Sequence, residues 1–396
     1  MQSKTCYEAA IVGGGIVGAS LARALQGAPI ALVAPRPASP ARDADIPDFD
    51  SRIYALSPAS AGFLRRLGVW EALPRERLTP VHAMRVYGDD GRSAIEFDAY
   101  RSGASELAWI VEDRLVQRAL WRALEAQPGL ALIDDAALER IELAPREASL
   151  VLAGGRRIEA RLVIGADGAR SSVRTLAGIA SRQEAYGQTA VVANFASRRP
   201  HRNVAFQWFQ GADREGAVLA LLPLPGDHVS MVWSAAAAEA ERLLGLDADA
   251  LCREVALASY GVLGELALVT APRAFALQRL AAGQLVVPRV ALAGDSAHVV
   301  HPLAGQGANL GLQDARALAG VIAARVPGSD PGELRLLRRY ERARAEDILA
   351  MRATVHGLYR LFGARSAPVA RLRNAGLKLV DRLPVLKNAL IRHAMG

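Results

Sequence analysis

The sequence predicts an α/β protein: a discontinuous, Rossmann-like nucleotide-binding domain built on a parallel sheet, a mostly antiparallel second domain, and a C-terminal helical tail. Three observations predict it. First, an apolar run over residues 7–12 leads directly into Gly13-Gly14-Gly15-Ile16-Val17-Gly18, then a helical stretch at residues 19–25 and a second apolar strand at residues 30–33. That strand–turn–helix–strand context is what gives a glycine motif meaning. Second, apolar strands at residues 161–165 and 286–293 end in the same way, in Ala166-Asp167-Gly168 and in Gly294-Asp295. Third, residues 188–233 alternate apolar and polar side chains, with turns at Gly211 and Pro225-Gly226, the period-2 pattern of an antiparallel sheet with one covered face.

The remaining elements follow in order. Residues 35–51 are rich in Pro, Asp and Ala without a period and read as a long loop. Residues 59–70 read as helix, 107–111 as strand and 114–126 as an amphipathic helix. Residues 130–133 and 148–152 read as strands, with Gly154-Gly155 as a turn. The antiparallel strands fall at residues 190–195, 204–209, 218–222 and 229–233, followed by helix over 235–258. Helices run at 309–325 and 332–361, and residues 371–393 form a basic amphipathic stretch. The strands ahead of Gly13, Asp167 and Asp295 are distant in sequence yet alike, so the first domain is expected in three pieces: residues 1–75, 101–180 and 281–345. Residues 76–100 and 181–280 are then the two pieces of a substrate domain, and residues 346–396 a basic helical region.

At 396 residues the chain is longer than one core usually holds, and 51% hydrophobic with 22% charged residues is a globular balance. Cys6 and Cys252 have neither disulfide nor metal-ligand spacing, as expected in a reducing compartment. Glu8 and the glycine turn occupy the place of an apolar leader core, and no uncharged run approaches the roughly 20 residues of a membrane span. The expectation is a cytoplasmic protein that touches a membrane only at its surface. Arginine outnumbers lysine, which occurs only at Lys4, Lys378 and Lys387, as in a GC-rich genome. The position of the charge says more. From Arg352 onward there are nine Arg or Lys and one acid, Asp381, so the chain's net +8 belongs to the tail. That stretch lacks a nucleic-acid module, and no nucleic-acid partner is expected.

Three motifs carry chemistry. In Gly13-x-Gly15-x-x-Gly18 the first glycine permits the turn, the second lets backbone approach a pyrophosphate, and the third packs helix on strand. The acid that such a motif pairs with a ribose belongs about 20 residues on, where this chain has Val33-Ala34-Pro35-Arg36. In the second motif, Asp167 and Gly168 form a strand-end turn, with Arg170 and Arg174 placed to face phosphates. The third is Gly294-Asp295-Ser296-Ala297-His298 followed by Pro302-Leu303-Ala304-Gly305-Gln306-Gly307-Ala308-Asn309. Its glycines admit close approach to a flat ring, and the helix starting near Asn309 aims its positive end there. Asp295 is placed to accept from a sugar-like hydroxyl. His298 and His301 lack companion ligands and read as packed, hydrogen-bonded histidines.

These three motifs in this order resemble the FAD-dependent aromatic hydroxylases of the para-hydroxybenzoate hydroxylase fold, and most of all the ubiquinone-biosynthesis hydroxylases. Asp50-Ser51-Arg52-Ile53-Tyr54-Ala55-Leu56, Leu67-Gly68-Val69-Trp70, Val111-Glu112-Asp113-Arg114-Leu115-Val116-Gln117, Gly305-Gln306-Gly307-Ala308-Asn309-Leu310-Gly311, Tyr340-Glu341-Arg342-Ala343-Arg344 and the tail around Phe362 and Asp381-Arg382-Leu383-Pro384 extend the likeness nearly end to end. Ala34 departs from it, since the family usually has an acid there. The resemblance implies FAD held by Gly13, Gly15 and Gly18 at the pyrophosphate, with Asp167 and Gly168 supporting that region. It places Asp295 at the ribityl chain, and Pro302, Gly305, Gln306, Gly307, Ala308 and Asn309 along the ring. Arg52 and Gln117 are further flavin contacts.

The implied reaction is hydroxylation of a polyprenylated phenol through a flavin hydroperoxide formed from reduced FAD and dioxygen, with no catalytic residue assigned. NAD(P)H is expected as a transient electron donor, because the sequence has no second nucleotide-binding unit. The expected partners are that substrate, the inner face of the cell membrane through the basic C-terminal region, and other ubiquinone-biosynthesis proteins. The alternatives are a nicotinamide-linked dehydrogenase, a flavin-free scaffold of a ubiquinone-synthesis complex, which Ala34 favours, and a same-fold flavoprotein reductase.

Overall fold

The computed structural model describes residues 6–37, 49–90, 93–211, 216–301 and 305–363. Its central sheet runs in the order Val286–Val287, Val290–Leu292, Val163–Gly165, Ala9–Val12, Ile30–Val33, Leu130–Ile133. Every pair is parallel except the hairpin of the first two. Ala10, Ile11, Ile30, Leu32, Val163, Ile164 and Val290 have no exposed surface, because the sheet is covered on both faces; that is why these strands are apolar at every position.

The helices, in chain order, are α1 (Ile16–Ala24), α2 (Pro58–Arg66), α3 (Asp113–Glu125), α4 (Ser172–Leu176), α5 (Ala237–Leu244), α6 (Ala248–Ala258), α7 (Gln306–Ala323) and α8 (Leu334–Gly363). α1 packs against α3 and α7, and α7 against α8. A four-stranded sheet of Cys6–Tyr7, Arg157–Ala160, Ala148–Leu152 and Leu138–Leu143 shares the same core.

The second large sheet runs His298–Val299, Arg273–Ala282, Ser181–Ser197, His228–Ala236, Val218–Leu224, Val204–Phe209, Ala83–Tyr87, Ala94–Asp98, with Leu266–Leu268 beside the long strand. It is antiparallel except where Val204–Phe209 meets Ala83–Tyr87. One face buries Phe195, Trp208, Met231 and Trp233 in a core shared with α5 and α6. A three-stranded sheet of Ile53–Leu56, Ala108–Glu112 and Thr79–Val81 completes the described strands.

The predicted α/β class, with its parallel and antiparallel sheets, is what the structure has. Local differences have physical reasons. The single strand expected over 286–293 is a hairpin, because Pro288 interrupts it and Arg289 takes a left-handed φ of 70°. The Arg289 guanidinium holds that turn by donating to Arg161 O (3.0 Å) and Pro145 O (2.7 Å) and pairing with Asp330. The helix expected over 235–258 is two helices preceded by strand; Asp247 caps the second by accepting from Ala250 N at 2.7 Å. The helix expected over 59–70 ends at Arg66, before Gly68 at φ 69°. Strands Ile53–Leu56, Thr79–Val81, Ala83–Tyr87, Ala94–Asp98, Leu138–Leu143, Arg157–Ala160, Leu266–Leu268, Arg273–Ala282 and His298–Val299 were not predicted. Most of the loop expected over 35–51, and the basic stretch 371–393, lie outside the described residues.

Candidate functional site

Three loops meet at the carboxyl ends of the parallel strands, the edge where such sheets hold ligands. In the first loop each glycine has its own constraint. Gly13 sits at φ +108°, and a Cβ there would lie 2.2 Å from Ala166 O. A Cβ on Gly18 would lie 1.9 Å from Gly13 O. A Cβ on Gly15 would meet nothing within 4 Å, and Gly15 is exposed. The turn is therefore closed on the protein side at Gly13 and Gly18 and open outward at Gly15.

The helix starts add to this. α2, α4 and α6 are capped by the side chains of Ser57, Ser171 and Asp247. α1, α3, α5 and α7 have no side-chain cap, and of these α1 and α7 begin after glycines, Gly15 and Gly305. A helix start without a side-chain cap is the arrangement that receives phosphates and other anionic groups, and that of α1 adjoins the open Gly15. Gly307, in the first turn of α7, is likewise open: its Cβ would meet nothing within 4 Å. Gly305 is at φ +64° with its missing Cβ facing Ala55 Cβ at 3.2 Å. These open glycines beside two uncapped helix starts fit a dinucleotide with a flat ring.

Asp295 projects from the turn Gly294–Ser296. It has exposed surface yet stands among protein groups whose burial pushes its carboxyl above the ordinary carboxylate value, partly offset by Arg52 and His298. Arg52 is electrostatically linked to Tyr54, Asp113 and Asp295, and its guanidinium lies 5.6 Å from the Tyr54 ring centroid. Asp113 gathers this group: its carboxylate accepts from Tyr54 Oη at 2.7 Å and from Gln117 Nε2 at 2.8 Å, and Arg52 Nε stands 3.9 Å away. Arg52 and Gln117, far apart in sequence, thus meet through Asp113, which sequence reading missed.

Asp167 is engaged locally, accepting from Ser171 Oγ and from Val173 N at 3.1 Å, and Gly168 takes φ +79°. Arg174 corrects the expectation of a phosphate-facing arginine. It is 6% exposed and donates to Ser296 O (2.8 Å) and Ala169 O (2.9 Å), tying the second loop to the third; Arg170 is exposed.

Asn309 is buried: its Oδ1 accepts from Ser57 N and its Nδ2 donates to Ala55 O, both at 2.8 Å. Its side chain fastens α7 to strand Ile53–Leu56, while Gln306, Gly307 and Ala308 keep partial exposure. Pro302 lies outside the described residues. Ala34 is 4% exposed and, with Trp121, fills the space beside Gly14; Trp121 Nε1 donates to Gly14 O at 2.9 Å.

Beneath the third loop lies a network that the motifs did not announce. Asp314 of α7 has no exposed surface. Oδ2 accepts from Gly294 N (2.9 Å) and pairs with His298 Nε2 (2.6 Å), while Oδ1 accepts from Arg344 Nε of α8 (2.7 Å). Burial pushes its carboxyl up, but attraction and hydrogen bonds from His298 and Arg344 outweigh this and hold it below the ordinary value. His301 is buried with Nε2 3.0 Å from Gln188 Oε1, and burial lowers its pKa to about 4. Both histidines have the hydrogen-bond partners expected of packed residues. An acid on the apolar stripe Leu310, Asp314, Leu318 was the available signal for this buried ion pair.

The FAD binding domain family matches residues 6–353. The chain is 36% identical over 393 residues to ubiquinone hydroxylase UbiL of Rhodospirillum rubrum, covering 98% of this chain and 89% of that one. It is 35% identical over 390 residues to 3-demethoxyubiquinol 3-hydroxylase of Escherichia coli, covering 98% of each. It is 31% identical over 448 residues to the mitochondrial ubiquinone biosynthesis monooxygenase COQ6 of Xenopus tropicalis, covering 98% of this chain and 93% of that one. Among solved structures, p-nitrophenol 4-monooxygenase of Pseudomonas putida superposes with a TM-score of 0.79 at 18% identity over 100% of this chain and 99% of that one. A probable FAD-dependent monooxygenase of Pseudomonas aeruginosa gives 0.76 at 23%, over 94% and 100%; at such identities the likeness concerns the fold. The open glycines, the uncapped helix starts and relatives aligned almost end to end lead to one conclusion: the chain belongs to the family of FAD-dependent monooxygenases that includes the ubiquinone hydroxylases.

Proposed function

We propose that this enzyme hydroxylates the aromatic ring of a polyprenylated phenol in ubiquinone biosynthesis. The observation that carries this reading is identity above 30% to ubiquinone-biosynthesis hydroxylases over 98% of the chain. When bound, FAD supplies the redox chemistry, taking electrons from a nicotinamide donor that visits transiently and passing them to dioxygen.

The chain's own residues bind, orient and shield. The backbone of Gly13, Gly15 and Gly18 and the start of α1 receive the pyrophosphate, with the Asp167-Gly168 turn behind them. Asp295 accepts from a ribityl hydroxyl, and Arg52 offsets part of the upward push of burial on that carboxyl. Gln306, Gly307 and Ala308 offer backbone amides to the ring, with Asn309 fixing their position and Pro302 on the adjoining segment. Gln117 and Arg52 line the side held by Asp113. The parallel-sheet pieces, residues 1–75, 101–180 and 281–345, form the FAD-binding domain. Residues 76–100 and 181–280 form the substrate domain, whose sheet closes over the ring and excludes water.

A polyprenyl substrate resides in a membrane. Among the described residues no helix is long and apolar enough to cross one. Residues 346–396 then serve as the docking region on the inner face of the cell membrane, and other ubiquinone-biosynthesis proteins are the natural neighbours. The test compares kcat/KM for a short-chain prenylphenol and for the same phenol without the chain, with NADH or NADPH as donor. At least about a tenfold preference for the prenylated compound is expected, since each buried CH2 contributes roughly 0.8 kcal/mol. Equal or reversed preference would remove the substrate assignment.

A further inference from the structure

A recess opens beside the third FAD loop, at the strand His298–Val299 that continues from it. Arg182, Tyr186, Arg279, Leu280, Ala281, Val299, Val300, Arg352 and His356 line it. It is built where α8 crosses the edge of the antiparallel sheet: Val299 pairs with Leu280 across the ladder, and Arg279 with Glu184. Arg182 and Arg279 share the carboxylate of Glu184. With Arg352 from α8, and His356 one turn further, the wall carries more positive than negative charge. Its floor is apolar, from Leu280, Ala281, Val299 and Val300. The recess holds about 100 Å3. Small-molecule sites usually run to about 300–1,000 Å3, so it is too small for a dinucleotide or a prenylphenol and suits a single tetrahedral anion.

Its position narrows the source of that anion. The cationic wall opens beside the α8 residues from which the chain's whole positive excess, nine Arg or Lys against Asp381, begins at Arg352. Behind its Tyr186 wall the ring of His301 meets that of Tyr186 edge-on at 4.8 Å. Arginines around an apolar floor match a phosphate diester joined to acyl chains better than a free ion. We propose that this recess is a phosphate-binding site that seats the headgroup of an anionic phospholipid, fixing the orientation in which the enzyme meets the membrane. This rests on the membrane-resident substrate proposed above.

The test uses the full chain loaded with FAD, sedimented with phosphatidylcholine vesicles with and without phosphatidylglycerol. The double variant Arg182→Glu, Arg352→Glu is compared with Arg338→Glu, Arg339→Glu, which makes the same charge change on exposed α8 positions outside the recess. Arg182 is 82% exposed and Arg352 is exposed, so neither supports the core, and the flavin spectrum verifies folding. The expected result is wild-type binding that needs phosphatidylglycerol, about tenfold weaker binding in the first variant, and a loss of no more than about twofold in the second. Inorganic phosphate should displace the wild type from vesicles more than chloride at equal ionic strength. Equal losses in both variants would mean diffuse attraction and overturn the site. Inorganic phosphate binding without any preference for phosphatidylglycerol would assign the recess to a free ion and overturn the lipid. Turnover of a detergent-dispersed short-chain phenol by the wild type, measured alongside, reports on the hydroxylase reading independently of the vesicles.

Discussion

Gly15→Ala adds a methyl group that meets no protein atom within 4 Å, at a φ of −69° that any residue adopts. Gly18→Ala adds the same methyl 1.9 Å from Gly13 O. The two should therefore fail differently. Gly15→Ala should leave the apo-protein's stability within about 1 kcal/mol yet weaken FAD binding at least about tenfold, because the methyl stands where backbone must approach the pyrophosphate. Gly18→Ala should destabilise the apo-protein itself by about 1–3 kcal/mol. Thermal unfolding of apo-protein and FAD titration separate the two. His301 supplies a pH signature. Its folded pKa of about 4 lies below the unfolded value of 6.5, so the unfolded chain takes the proton first. Stability from this group is complete above about pH 6.5 and falls by roughly 3 kcal/mol as pH drops to 4. His301→Gln should abolish that slope in denaturant unfolding followed across the window.

Between elements, Asp314 joins α7, α8 and the turn carrying Asp295 through His298, Arg344 and Gly294 N. Asp314→Ala removes the buried carboxylate shared by His298 and Arg344, leaving Arg344 only Asp347 as an ionic partner among the described residues, and should cost about 3 kcal/mol, with faster FAD loss because the Asp295 turn loses its bond to Asp314. Its folded pKa is held down, so its contribution is present above the ordinary value of 3.8 and lost as pH falls below it. That window lies beneath the His301 window, and the two groups are distinguishable in one pH series. Sequence pattern located the glycine-marked strand ends because a tight turn leaves glycine few substitutes. It missed the roles of Asp113 and Asp314 because the partners that define them, Tyr54 for the first and His298 and Arg344 for the second, come from other elements; the apolar stripe around Asp314 signals burial but not what it pairs with. It also merged Val286–Val287 with Val290–Leu292, since an apolar run conceals a hairpin whose only mark is Pro288-Arg289.

For the whole molecule, the parallel order of strands drawn from both ends and the middle of the chain was legible, because strands buried on both faces are apolar throughout. Ala83–Tyr87 and Ala94–Asp98, the last two strands of the antiparallel sheet, were not, since half-exposed strands with Arg85 and Glu96 in them lack a continuous apolar run. Ala34 stands where an acid was expected, and its place against Gly14 and Trp121 leaves the Gly15 opening intact. FAD bound at these loops would supply the redox chemistry by which one atom of dioxygen enters a phenolic ring. The most direct test is turnover of a prenylated phenol under isotopically labelled dioxygen, with the product analysed by mass spectrometry. The expected product carries one additional oxygen atom on its ring, derived from dioxygen. A product without the label, or donor oxidation yielding only hydrogen peroxide or a reduced substrate, would contradict hydroxylation and leave a flavoprotein reductase on the same fold.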